Sequence, residues 1–232
     1  MTRTADVVVP AGGLRAFAAG VLEGMGAHSD AAAEVARHLV DANLAGHDSH
    51  GVLRLPQYVL QMDNGRLDPA AQPAMLKESA SLALFDARRG LGQWSTRCAL
   101  EWCAEQAARE GIAGAAVRHS THAGRLGDYA ERACERGLVA ILCLGVAGPG
   151  AGLVAPFNGS SRYLGTNPWA IGIPAAGRTP LIVDFATSSV AEGKVRLRRS
   201  RGELLPEGVL LAADGTPSTR PEHLYEGGTL TA

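Results

Sequence analysis

Apolar positions recur at helical spacing along the first third of the chain and in short strand-like runs beyond it, with the change of period near residue 80. Residues 11–65 read as helical. Ser29 and Asp30 supply a start signal, Val35, Leu39 and Ala42 an apolar stripe, and Gly46 a stop. A further helix is expected over 50–63, with Leu55, Val59 and Met62 on one face and Pro56 tolerated only in the first turn. Asn64-Gly65 then turns the chain. After this the pattern predicts a strand over 81–85, a helix over 94–110 closed by Gly111, a buried strand over 112–117 and a helix over 126–136 closed by Gly137. Strands follow over 138–144, apolar on both faces, and over 170–173 and 181–185. Strand and helix in alternation argue for an α/β sheet covered on both faces. No internal repeat or low-complexity segment is evident.

Composition narrows the class. With 232 residues, 46% of them apolar, the chain can bury a sizeable core and is not of disordered type. The formal net charge is −1, and the one basic run, Arg196 to Arg201, reads as a solvated helix end and not as a nucleic-acid surface. Cys98, Cys103, Cys134 and Cys143 form no CxxC pair and are expected to be buried free thiols in a reducing compartment. No apolar run spans a bilayer, and residues 1–10 lack a secretory pattern, so a cytoplasmic protein is expected.

The densest chemistry lies in Gly46-His47-Asp48-Ser49-His50-Gly51-Val52-Leu53-Arg54. His50 and Arg54 are four apart and would share a face if the segment were helical. A guanidinium can grip a carboxylate through paired hydrogen bonds while an imidazole exchanges a proton near neutral pH. The alternative is a polar helix start capped by Asp48 or Ser49. His122 follows the strand ending at residue 117, in the kind of loop where α/β proteins bind ligands, and is otherwise an ordinary loop histidine. Thr187 and Ser188, after another strand, could receive a phosphate with Lys194 nearby, or simply cap a helix. No GxGxxG loop follows a strand, and Gly148-Pro149-Gly150-Ala151-Gly152 has the wrong spacing. No P-loop or GxSxG elbow occurs.

In series these segments resemble the malate/L-lactate dehydrogenase family of type-2, non-Rossmann NAD(P)-dependent oxidoreductases. The resemblance rests on Gly46 to Gly51 with Arg54-Leu55-Pro56-Gln57-Tyr58, then Gly90-Leu91-Gly92-Gln93, then His119-Ser120-Thr121-His122 with Gly124-Arg125. Leu164-Gly165-Thr166-Asn167-Pro168 comes next, and Asp184 to Ser188 with Ala191-Glu192-Gly193-Lys194-Val195 completes it. The resemblance implies a three-layer mixed-sheet α/β cofactor domain over 76–232 and an N-terminal helical domain over 1–75 that carries the Ser-His-Gly/Arg site. It implies His50 as the proton donor and acceptor, Ser49 orienting it, and Asp184 helping to set its tautomer. Arg54 would hold the substrate carboxylate, with His122 and Thr166 lining the substrate. His122, Asn167, Pro168, Asp184, Ala186, Thr187, Ser188 and Lys194 would meet NAD or NADP. A homodimer, a small 2-oxo or 2-hydroxy acid as substrate and no metal complete the expectation.

Ala123 stands where the family carries a larger side chain, Asn158 where it carries Gly, Val209 where Trp is expected, and Arg220 where Asp is expected. Family members continue beyond Gly227-Gly228, so the chain reads as C-terminally truncated, with apolar surface expected to be uncovered. Three readings compete with a 2-hydroxy acid dehydrogenase. One is a cyclic imine carboxylate reductase of the same family, one a non-catalytic remnant, and one a metal-dependent hydrolase built on His47, Asp48, His50 and His122.

Overall fold

The computed structural model describes residues 8–146 and 152–232. The readings made on residues 1–7 and 148–151 lie outside them. The chain forms two compact units, residues 1–125 and 126–232.

In the first unit, α1 (Ala11–Gly24) and α2 (Ser29–Leu44) bury the stripe seen in the sequence: Ala18 and Leu22 meet Ala32, Val35 and Leu39, joined by Leu55, Tyr58 and Leu91. Two short 3-10 turns, Asp48–His50 and Val52–Arg54, lead into α3 (Leu55–Asp63), where Pro56 does sit in the first turn. The helix expected over 50–63 is therefore shorter. Gly51 is extended at φ −85° and ψ −161°, which separates the turns, so His50 and Arg54 do not share one α-helical face. Next come β1 (Ala74–Glu78), β2 (Leu82–Asp86), α4 (Gly92–Glu110) and β3 (Gly114–Arg118). β1 is antiparallel to β2, and β2 is parallel to β3, with α4 as the crossover that a parallel pair requires. Phe85 and Trp102 meet edge to face under α4, and Trp102 Nε1 donates to Glu78 Oε1.

The second unit opens with α5 (Leu126–Glu135), followed by an antiparallel sheet of β4 (Ala140–Cys143), β5 (Trp169–Ile173) and β6 (Leu181–Phe185). α6 (Glu192–Arg201) and α7 (Glu222–Tyr225) accompany a small sheet of β7 (Leu210–Leu211), β8 (Pro217–Ser218) and β9 (Thr229–Leu230) around Val154, Val195, Leu205 and Leu224. These last strands are too short to show a period in the sequence.

Mixed helix and strand, with small sheets and no closed barrel among the described residues, is the α/β class the sequence implied. The expectation of a sheet covered on both faces fails. Among the described residues the β4–β5–β6 sheet carries α5 on one face, where Gly172 lies against Ala130 and Cys134. The other face leaves Ile141, Trp169, Leu181, Val183 and Phe185 exposed, so the strand at 138–144 is not buried on both sides. The thiols are free, but Cys143 is exposed on that face and Cys98 and Cys103 are only partly buried. The basic run ends α6: Arg196 pairs with Glu192, Arg198 bonds the Leu204 carbonyl and Arg199 lies over the Tyr225 ring. No helix among the described residues is long and apolar enough to cross a membrane.

Leu39 is fully buried at the centre of the first unit. Leu39→Ala is expected to lower stability by about 2–5 kcal/mol, read as a fall in the urea midpoint.

Candidate active site

The 3-10 turns that carry His50 and Arg54 are held by Asn43 at the end of α2. Its amide nitrogen donates to Asp48 Oδ1 and its Oδ1 accepts from the Val52 amide. A Cβ at residue 51 would sit 2.3 Å from Asn43 Oδ1, so only glycine lets this clamp close. Arg54, buried, is fixed by its Nε to the Ser49 carbonyl (2.6 Å) and by Nη1 to Gln57 Oε1 (2.6 Å). Among the described residues the Ser49 hydroxyl makes no hydrogen bond, and Ser49 meets Arg54 through its carbonyl.

His122 lies in the loop after β3. Thr121 Oγ1 donates to the Gly90 carbonyl and accepts from the Gly92 amide, tying the loop to the start of α4. A Cβ on Gly92 would come within 2.4 Å of the His122 carbonyl oxygen. At the loop's far end, buried His38 accepts the Arg125 amide at Nε2. His122 is thus placed by backbone contacts on both sides.

The two imidazoles meet. His50 Nδ1 and His122 Nε2 are 3.0 Å apart, the rings are parallel within 1° and their centroids are 5.2 Å apart, an edge-to-edge hydrogen bond. His122 Nδ1 is 2.7 Å from the Tyr58 hydroxyl, which in turn accepts from Gln93 Nε2 at 2.7 Å. Burial, and then the positive field of Arg54, lower the His50 pKa to about 4 and hold that of His122 well below its usual value. Burial pushes the Tyr58 phenol up. At neutral pH the site therefore holds two neutral imidazoles, a protonated phenol and a guanidinium. Tyr58 and Gln93 had no role in the sequence reading, although both lie in segments that carried the resemblance; Asn43 and His38 left no signal there.

His47 and Asp48 take other partners, the Ala45 carbonyl and Asn43. Among the described residues they form no metal-binding cluster with His50 and His122.

In the second unit, the Thr187 amide donates to the Thr166 carbonyl and its hydroxyl to the Asn167 carbonyl. The two expected cofactor segments are therefore adjacent. Asn167 adopts a left-handed φ of 36° and accepts the Val146 amide at Oδ1. Asp184 Oδ2 accepts the Gly127 amide at the start of α5, and Ser188 Oγ bonds the Val190 carbonyl. Ala186, like Thr187, lies just past β6, and Pro168 just before β5. α6 begins after Ala191 with no side-chain cap, and Lys194 is exposed in its first turn without an ion pair among the described residues.

This α/β arrangement recurs in solved structures. The chain superimposes on delta1-piperideine-2-carboxylate reductase from Pseudomonas syringae pvar. tomato with a TM-score of 0.89 at 30% identity, covering 97% of this chain and 67% of that one. Malate dehydrogenase from Pyrococcus horikoshii gives a TM-score of 0.82 at 34% identity, covering 97% and 60%. The family model described as malate/L-lactate dehydrogenase matches residues 9–232, and the chain belongs to that family. It is 37% identical over 213 residues to hydroxycarboxylate dehydrogenase B of Escherichia coli, covering 92% of this chain and 58% of that protein. A delta(1)-pyrroline-2-carboxylate/delta(1)-piperideine-2-carboxylate reductase of Pseudomonas putida is 36% identical over 203 residues, with 87% and 58% covered. The chain thus spans about 58% of the length of these curated relatives.

The neutral imidazoles make stability depend on pH. An unfolded histidine takes a proton near pH 6.5, whereas folded His50 takes one only near pH 4. The unfolded state binds more protons between these values, so this contribution is complete above about pH 6.5 and is lost as the pH falls toward 4. Urea unfolding across this window should show stability falling by about 1.4 kcal/mol per pH unit for each such proton. His122→Asn should flatten the slope; an unchanged slope would contradict the assignment.

Proposed function

We propose that the chain is the His50-bearing part of an NAD(P)-dependent oxidoreductase acting on a small 2-hydroxy or 2-oxo acid. The observation that carries this reading is the meeting of a neutral imidazole pair with a buried guanidinium in one unit. Arg54 binds the substrate carboxylate, its fork held by the Ser49 carbonyl and Gln57. His50 hydrogen-bonds the adjacent carbonyl oxygen through Nε2 and gives it a proton as charge develops there, and it takes the proton back in the oxidative direction. A neutral imidazole suits this task, because it polarises a carbonyl without needing to be cationic. Ser49 orients the pair through its backbone, and His122 lines the substrate from the far side of His50.

The second unit fits a dinucleotide. An uncapped helix start with a lysine in its first turn is matched to a pyrophosphate, since backbone N–H groups and a cation both face negative charge. Glu192 in the same turn does not oppose it, because Arg196 neutralises its carboxylate. Ala186, Thr187, Ser188 and Lys194 hold the phosphates, Thr166, Asn167, Pro168 and Asp184 meet the rest of the dinucleotide, and His122 is a cofactor contact on the strength of the family. When bound, the nicotinamide supplies or takes the hydride. Either NAD or NADP serves this reading, as does a division into a helical domain over 1–75 and a cofactor domain over 76–232. A cytoplasmic homodimer belongs to the same proposal on the strength of the family. A cyclic imine carboxylate is the second substrate class, supported by the relatives of that name and by the same need for a carboxylate clamp and a proton donor.

Oxidation of NADH or NADPH, followed by absorbance over a panel of 2-oxo acids and cyclic imine carboxylates, tests the proposal. Turnover is expected with at least one of them, and none with any would remove it. His50→Ala should lower kcat by about 10²–10⁴-fold. Arg54→Ala should act mainly on KM. Lys194→Ala should weaken dinucleotide binding about 10–100-fold, the worth of one charge-assisted hydrogen bond, read by quenching of protein fluorescence.

A further inference from the structure

We infer that Gln93 and Tyr58 are positioning residues that set the hydrogen-bond direction of a four-membered chain, Gln93–Tyr58–His122–His50, so that His50 presents an N–H and not a lone pair at Nε2. The catalytic meaning of this inference rests on the function proposed above; the tautomers themselves do not.

The argument begins at the buried end. Gln93 is fully buried, its Nε2 is 2.7 Å from the Tyr58 oxygen, and its Oε1 meets no partner among the described residues. Turning the amide over would place its two donors where Oε1 now stands unpaired. A buried unpaired N–H is rarer than an under-satisfied carbonyl oxygen, so the amide donates to Tyr58. Tyr58, with its oxygen occupied by that donor and its phenol kept protonated by burial, directs its O–H at His122 Nδ1. His122 is neutral and carries a single ring proton. With Nδ1 accepting, that proton is on Nε2, from where it is donated to His50 Nδ1. His50 is also neutral, so its own proton is on Nε2. Nε2 has no protein partner among the described residues, which leaves it for a ligand.

Each link follows from the one before, and all four side chains belong to the first unit. When the Nε2–H bond of His50 breaks and an O–H bond forms on the substrate, the electron pair stays on the imidazole. The His122 Nε2–H already bonded at Nδ1 stabilises the negative charge left there, as does Arg54. Water returns a proton to Nε2 once product has left. The resting chain is thus set for reduction, the direction in which a proton must be given.

The test is the tautomeric state of the chain labelled with ¹⁵N-histidine, read from ring ¹H–¹⁵N correlations near neutral pH and assigned through His50→Asn and His122→Asn. Both histidines are expected as the Nε2–H form. Tyr58→Phe keeps the ring and removes the donor; it should convert His122 to a mixture of forms and move His50 with it, although Tyr58 makes no hydrogen bond to His50. Gln93→Glu, which places an acceptor at the end of the chain, should drive both rings toward Nδ1–H; if it does not fold, Tyr58→Phe decides alone. An Nδ1–H form of His50 in the unsubstituted protein, or a His50 unmoved by Tyr58→Phe, would overturn the inference. In turnover, Tyr58→Phe should lower kcat about 10–100-fold with KM unchanged, since Arg54 is untouched. Absence of turnover in the unsubstituted protein would count against the proposed function, while the tautomer spectra would still decide the relay.

Discussion

The hydrogen bond between His50 and His122 governs the site. A ring nitrogen can accept only if it carries no proton, so the 3.0 Å contact requires at least one neutral imidazole. Burial and the Arg54 guanidinium make both neutral. Neutrality in turn limits each ring to one proton, and the position of that proton becomes a question of which neighbours donate. A site of two solvated histidines would have no such memory of its surroundings. Here the Gln93 amide reaches His122 through a single side chain, Tyr58.

The backbone pays for this contact with tolerance to substitution. The turns bearing His50 are closed by Asn43, which leaves no room for a side chain at Gly51, and the loop bearing His122 is pressed on Gly92. Both glycines serve close approach of chain to chain. The 3-10 turns matter for the same reason. An α-helix through residues 50–54 would have stacked His50 and Arg54 along one face, whereas the break at Gly51 lets Arg54 turn back to the Ser49 carbonyl. The guanidinium is buried, is held by the Ser49 carbonyl and Gln57, and lowers both histidine pKa values.

Much of this was legible in the sequence where a local rule applied. The α2 stripe, the α4 and α5 helices and the β6 strand follow from spacing and from Gly at their ends, and the structure places them within a residue or two of expectation. The His-bearing loop after β3 followed from the place of ligand loops in α/β folds. Less legible was anything set by contacts distant in sequence. The exposed face of the β4–β6 sheet looked like a buried strand run, because apolar side chains read alike whether or not an element covers them. Tyr58 drew no separate reading, since a buried aromatic ring and a hydrogen-bonding phenol share one letter.

By itself the sequence determined the helical and strand periods, the absence of a Rossmann loop, and the set of residue types able to grip a carboxylate and exchange a proton. These are local properties, carried by spacing along a few turns of chain. Only the tertiary structure decided that His50 pairs with His122 and not with its neighbour Ser49, that Asp184 caps α5 through Gly127, and that Gln93 and Tyr58 stand behind the histidines. The physical reason is that a tautomer and a depressed pKa are properties of an environment. Residues 43, 50, 54, 58, 93 and 122 make that environment only once folding has brought them within hydrogen-bonding and electrostatic reach of one another.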